Sequence, residues 1–174
     1  MSETNKLFDP FVANASAALY GVENQAVVEE NFPALYEKMV ESFKDEQFIK
    51  KLHSLKGRGK VTVTLDIPSK NKVTRFIHKV WFQVQKSTSQ YWDIYYLNIG
   101  VSFQRSMYNP FGFSKMVIAK ATMGTIEKIT ERITSDDFST KMCKELAEYV
   151  YESLYNIAKK TQRSLAIGMN WHKI

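Results

Sequence analysis

The sequence predicts a single α+β domain in which helices flank an antiparallel sheet, and three observations predict it. The 174 residues are enough to bury one sizeable core. A composition of 44% apolar and 13% aromatic residues is that of a folding chain. Apolar residues recur at helical spacing near both ends of the chain and alternate with polar ones in between. We therefore expect an N-terminal helical region (residues 1–59), a four-stranded antiparallel meander (60–122), and a long C-terminal helix packed on the sheet with a short final strand (135–174).

Two helices are expected within the first 45 residues. Asp9 before a proline is typical of a helix start, and Gly21 is typical of a helix end. Asn31 is a second candidate cap, with Pro33 in the first turn of the next helix. A further amphipathic helix follows over residues 46–56.

Four strands are expected between residues 60 and 122. The first covers residues 60–67, and with the second, which begins near Arg75, it forms a hairpin. The third runs over residues 91–105, and the fourth covers residues 115–122. In the second strand, one face is expected to carry Phe76, His78, Val80, Phe82 and Val84, and the other Arg75, Ile77, Lys79 and Trp81.

The clearest element is a helix of roughly seven turns that begins near Asp136, since about 3.6 residues make one turn. Residues 125–134 fit a helix and a strand equally well and stay open. After the long helix, strand alternation predicts a last strand with Leu165, Ile167, Met169 and Trp171 on one face. The long helix is expected to pack Leu146, Val150, Leu154 and Ile157 against the sheet.

The net charge of +6 is unevenly distributed along the chain. Residues 1–45 hold 3 basic and 8 acidic side chains, for −5, whereas residues 46–86 hold 10 basic and 2 acidic ones, for +8. Such separation of the two signs favours contacts with charged partners.

Several classes of protein are disfavoured. No stretch approaches the ~18 uninterrupted apolar residues of a membrane span, and the first residues lack the pattern of a signal peptide. Cys143 is the only cysteine, so an intrachain disulfide and a Cys-based zinc site are excluded. We expect a cytoplasmic protein with no membrane contact.

Candidate catalytic motifs have ordinary explanations. The run from Lys56 to Lys60 contains two glycines but lacks phosphate-loop spacing, and it precedes a strand, so a basic connector is favoured. The three histidines, His53, His78 and His172, lack metal-ligand spacing. A packing role is favoured for Cys143, and helix capping for Asp136 and Asp137. Hydrolase, kinase and dinucleotide signatures are absent, so we expect no enzyme, no cofactor and no small-molecule substrate.

An aromatic cluster at the start of the third strand is the most unusual local feature, because its side chains fall on both strand faces. Next to a basic hairpin, its exposed side fits a protein interface or stacked nucleic-acid bases. The candidate contact residues are Lys70, Lys72, Arg75, Lys79, Tyr91, Trp92, Tyr95 and Tyr96.

The favoured hypothesis is a structural subunit of a homo-oligomer or multi-subunit assembly. The acidic N-terminal helices of one copy, with Glu37 and Glu41, would meet the basic hairpin of the next. The predicted element order is similar to that of small ring-forming subunits at the head–tail connector and tail end of bacteriophages, which implies a virion component. One alternative is a nucleic-acid-binding module that uses residues 46–86 for weak contacts, and another is an enzyme with an unfamiliar site.

Overall fold

The α+β class is confirmed by the structure, a computed structural model. It describes the backbone of residues 10–68, 77–88, 92–103, 116–118 and 122–172, and the side chains of residues 18–68, 77–88, 92–103 and 123–156. The helices within these residues are α1 (Pro10–Lys44), α2 (Glu46–His53), α3 (Ile126–Ile133) and α4 (Phe138–His172). The strands are β1 (Lys60–Asp66), β2 (Ile77–Thr88), β3 (Asp93–Phe103), β4 (Met116–Ile118) and β5 (Thr122–Gly124).

The sheet is an antiparallel meander in the order β1–β2–β3–β4, with β5 also paired to β3. Gly100 lies opposite Ile118 of β4, and Leu97 lies opposite Thr122 of β5, which is a register shift of one residue. The expected fourth strand is thus present as two short strands along one edge of β3.

The second strand carries an irregularity that changes which side chains it buries. Its pairing register with β3 shifts between Ile77 and Lys79, as in a β-bulge. Ile77 is consequently 3% exposed and packs in the core, so its predicted place on the opposite face is wrong. Trp81 does lie on that opposite face, where its indole N–H donates to the Ser102 hydroxyl at 3.1 Å.

One continuous helix replaces the two that were expected before residue 45. Gly21 does not end α1, which continues to Lys44. A Cβ at this position would stand 2.8 Å from a ring carbon of Tyr151 in α4. The residue therefore permits close packing of two helices. Asn31 does not cap a helix either, since its side-chain amide donates to the Val27 carbonyl one turn earlier at 2.8 Å.

Helix α1 continues through Pro33, although proline lacks the backbone N–H that a helix interior needs. Tertiary packing stabilises the helix at this point. Val28 and Leu35, on either side of this proline, are fully buried. Asn24, also buried, accepts a hydrogen bond from the backbone N–H of Ile77 at 3.3 Å, which ties α1 to the first residue of β2. Burial of this face outweighs the local helix-breaking signals.

The C-terminal helix α4 runs antiparallel to α1, since Tyr36 packs against Phe138 while Gly21 packs against Tyr151. It contacts β3 and β4 as well as α1. Its buried residues include three that were expected in the core, whereas the side chain of Ile157 lies outside the described residues. These three are Leu146, Val150 and Leu154.

The predicted final strand is wrong, because α4 continues to His172. No proline interrupts residues 138–172, and each residue added to an existing helix gains a hydrogen bond at little cost. A short alternating pattern does not outweigh that gain.

Residues 125–134, which fitted both helix and strand, form α3. The Thr125 side chain caps it by accepting a hydrogen bond from the Lys128 backbone N–H at 3.2 Å. At its other end, the Ile133 carbonyl accepts a hydrogen bond from the Tyr36 hydroxyl at 2.7 Å. This contact joins α3 to α1.

Substitution of Leu154 by alanine tests the packing of α4. Leu154 is 1% exposed, so we expect the free energy of unfolding to fall by about 2–5 kcal/mol in urea denaturation. Glu152→Ala is the matched control, because Glu152 is exposed on the same helix turn and should change stability by less than about 0.5 kcal/mol. Equal effects of the two substitutions would contradict this packing.

Candidate interaction surfaces

An acidic stripe runs along the outer side of α1. It comprises Glu23, Glu30, Glu37 and Glu41, whose spacings of seven, seven and four residues place them within an arc of about 40°. Glu23 is half-buried and the other three are exposed. The two glutamates singled out from the sequence lie on this stripe. The other two were missed, although their heptad spacing was visible in the sequence.

A basic end, formed by Lys50, Lys51, Lys56 and Arg58, lies where α2 leads into β1. All four side chains are exposed. Gly57, at φ 60°, adopts the left-handed conformation that glycine accepts readily, and the Gly59 N–H donates to the Lys56 carbonyl at 3.0 Å. The glycine-containing run is thus a tight basic turn into a strand.

The acidic stripe and the basic end do not neutralise each other within the described part of the chain. The ion pairs there are Lys79 with Asp66 at 4.0 Å, Lys86 with Asp93 at 3.4 Å, and Arg132 with Asp137 at 3.1 Å. None of them involves a member of either surface. Both surfaces therefore present their charges to solvent.

The contact surface expected from the sequence is split between opposite ends of the sheet. Lys79 lies near the start of β2, whereas Tyr96 lies opposite Gln85, six residues further along the same strand. At about 3.4 Å per residue, they are about 20 Å apart along the strand. Lys70, Lys72, Arg75 and Tyr91 lie outside the described residues.

The aromatic residues at the start of β3 point in different directions. Trp92 is 65% exposed, and Tyr96 is half-buried on the sheet face away from the helices. Tyr95 is 3% exposed in the core, and its hydroxyl donates to the Leu52 carbonyl at 3.5 Å. Its predicted role in binding a partner is wrong, because it faces inward.

Lys86, a residue of β2, is a buried cation beside the end of α2. Its ammonium donates to the His53 carbonyl at 3.2 Å and forms the ion pair with Asp93. It also lies 5.9 Å from the centroid of the Tyr95 ring. These contacts offset the cost of removing the charge from water and tie α2 to two strands.

A polar recess of about 250 Å³ opens beside this lysine. It combines a guanidinium, two side-chain amides and an aromatic ring, which suit a planar group carrying a negative charge. Cross-strand register brings them together, so the sequence alone gave no signal of the recess. Its lining residues are Arg58, Gln85, Lys86, Ser87, Tyr96 and Asn98.

A groove of about 510 Å³ separates α1 from α4 near Pro33. The groove stays open because α4 lines it with small side chains, among them Ser139, Cys143 and Ala147. Burial, and then the nearby Glu29 carboxylate, raise the pKa of the Cys143 thiol. A raised pKa disfavours the nucleophilic thiolate, which agrees with a packing role for this cysteine.

The remaining sequence candidates stay apart from one another. His53 lies at the end of α2 and His78 in β2, while the side chain of His172 falls outside the described residues. The described residues hold no cluster of three or more potential metal ligands. The hydrogen bond from the Ser135 hydroxyl, and then the charge and hydrogen bond of Arg132, lower the pKa of Asp137, just before α4.

Comparison with family models, with curated proteins and with solved structures finds no match to this chain. Of the described helices, none has the length and apolar character needed to cross a membrane.

Proposed function

We propose that this chain is a non-enzymatic assembly subunit whose copies join head to tail, with the acidic stripe of one copy on the basic end of the next. One observation carries the proposal: two surfaces of opposite charge are exposed, and neither is neutralised by described residues of its own copy. Complementary charges accelerate encounter and fix orientation. A contact between two different surfaces repeats to form a ring or a filament.

Exposed apolar side chains near both charged surfaces support the proposal. Leu19, 54% exposed, falls in the angular range of the acidic stripe, and Val22 beside it is 55% exposed. Trp92 lies at the same end of the sheet as the start of β1, which follows the basic end in the chain. Large apolar and aromatic side chains supply most of the binding energy at protein interfaces, which surface charges alone do not.

The similarity to ring-forming phage subunits rests on the predicted element order, of which the helices, the meander and the long helix are present and the final strand is not. The part that remains favours a closed ring and a place in a virion, at the head–tail connector or the tail end. Lys70, Lys72, Arg75 and Lys79 belong to the basic sequence segment 46–86, although Lys79 lies at the far end of β2 from the basic end. We expect charge reversal of the first three to weaken assembly as well.

Complementary charge reversal tests the head-to-tail contact. One variant carries Glu30→Lys, Glu37→Lys and Glu41→Lys, and the other Lys50→Glu, Lys51→Glu and Lys56→Glu. We expect each variant alone to lose the low-salt assembly, because like charges then face each other, and an equimolar mixture to regain it. Light scattering after size-exclusion chromatography measures the masses.

The matched control for the first variant changes three exposed glutamates outside the acidic stripe to lysine: Glu127, Glu131 and Glu152. It should assemble like the unmodified protein. Separate variants that assemble normally, or a mixture no larger than its components, would refute the head-to-tail contact.

The second candidate function is weak binding of single-stranded nucleic acid, and the polar recess favours it. Tyr96 offers a ring for base stacking, Gln85 and Asn98 offer amides for base edges, and the nearby cations suit phosphates.

Fluorescence anisotropy with a labelled oligonucleotide tests this second candidate. Four phosphate contacts predict a roughly fifty-fold loss of affinity between 50 and 200 mM salt. Tyr96→Ala should cost about 1–3 kcal/mol of binding free energy, whereas Tyr149→Ala, an exposed tyrosine on α4, should cost nothing. Salt-insensitive binding, or equal effects of the two substitutions, would contradict it.

A further inference from the structure

We propose that β1 also joins two copies of the chain edge to edge, as antiparallel partners with Val63 on the two-fold axis. The contact would continue the meander from one copy into the other. It rests on β1 alone and is independent of the head-to-tail contact.

β1 is an edge strand, since it pairs only with β2 among the described residues. Two hydrogen bonds show which of its backbone groups are already used. The Lys86 N–H donates to the Gly59 carbonyl at 2.9 Å, and the Ile67 N–H donates to the His78 carbonyl at 2.8 Å. In an antiparallel pair such bonds recur at every second residue, so odd-numbered residues point their backbone groups at β2. The outward groups belong to Lys60, Thr62, Thr64 and Asp66.

Within its own residues, β1 lacks the usual protection against pairing. Natural edge strands carry a lysine, a proline or a bulge in their interior. The interior of β1, residues 61–65, contains only valine, threonine and leucine. Val63 and Leu65 are half-exposed on the helix-covered face and pack against the core. Val63 lies opposite Phe82 of β2, whose ring packs edge-on against Phe48 of α2. An added strand would complete the burial of this apolar rim.

The residues of β1 are complementary to a second, antiparallel copy of themselves. With Val63 on the axis, Thr62 faces Thr64 of the second copy, and Lys60 faces Asp66. These pairs contain the residues whose backbone groups point outward, so each pair would exchange two hydrogen bonds. Threonine pairs and pairs of opposite charge directly across two strands are stabilising.

Other registers are poorer. A slip of one residue would place the outward-pointing backbone N–H and C=O groups of one copy opposite residues of the other copy whose backbone groups are already bonded to β2. It would also put the apolar side chains of one copy on the polar face of the other. A slip of two residues would separate Lys60 from Asp66 and leave one pair fewer. The sequence of β1 therefore selects the register centred on Val63.

Cysteine cross-linking tests the contact and its register, in a Cys143→Ser background. Val63→Cys should form a disulfide-linked dimer on mild oxidation, because residues facing each other without hydrogen bonds have Cα atoms about 4.5 Å apart. Leu65→Cys is the matched control, half-exposed on the same face, but about 14 Å from its own copy in this register. Non-reducing electrophoresis measures the dimer fraction.

Two substitutions in the Val63→Cys protein probe the interaction itself, and a third serves as the control. Lys60→Glu places a negative charge opposite Asp66 of the second copy. Because the two like charges repel each other, the cross-linked fraction should fall several-fold. Lys141→Glu, exposed on α4 and outside both charged surfaces, should leave it unchanged. Thr64→Pro removes a backbone N–H that points outward and leaves every hydrogen bond to β2 in place. Because the second copy then loses a donor, this substitution should also prevent cross-linking.

Reversal of Glu30, Glu37 and Glu41 leaves β1 intact, so cross-linking should persist in that variant even where head-to-tail assembly is lost. Absence of cross-linking at Val63, or equal cross-linking at Leu65, would overturn the edge-to-edge contact without bearing on the head-to-tail one.

Discussion

The burial of one face of α1 between the sheet and α4 is the constraint on which the rest of the structure depends. It keeps a single helix running through Gly21 and Pro33, two residues that end helices elsewhere. It also determines which way α1 faces, because Val28 and Leu35 must lie inside. Glutamates on the other side of the helix are consequently aligned along the outside.

The same packing leaves three parts of the molecule accessible. The four described helices share one core with a single face of the sheet. Thr62, Thr64 and Tyr96 lie on the other face. The α2–β1 turn carries its cations outside this layer. The outer edge of β1 stays unpaired among the described residues. Surface charge and edge pairing are distinct physical interactions, so the two proposed self-contacts can be tested separately.

Short-range patterns in the sequence predicted the strands and most of the core, because alternation and helical spacing report burial directly. They failed where tertiary contacts decide the outcome. Gly21 was interpreted as a stop, but it accommodates Tyr151 of a helix 130 residues away. The bulge at Ile77 and the recess around Tyr96 follow from cross-strand register, which a single strand does not encode. The split of the expected contact surface has the same cause.

The native mass of the unmodified protein, followed by sedimentation velocity as protein and salt concentrations change, tests the central claim of self-association most directly. The account predicts large assemblies at high protein concentration and about 50 mM salt. Raising salt should dissolve the charged contact and leave dimers, since strand pairing is little screened. A strictly monomeric protein at high concentration and low salt would contradict it.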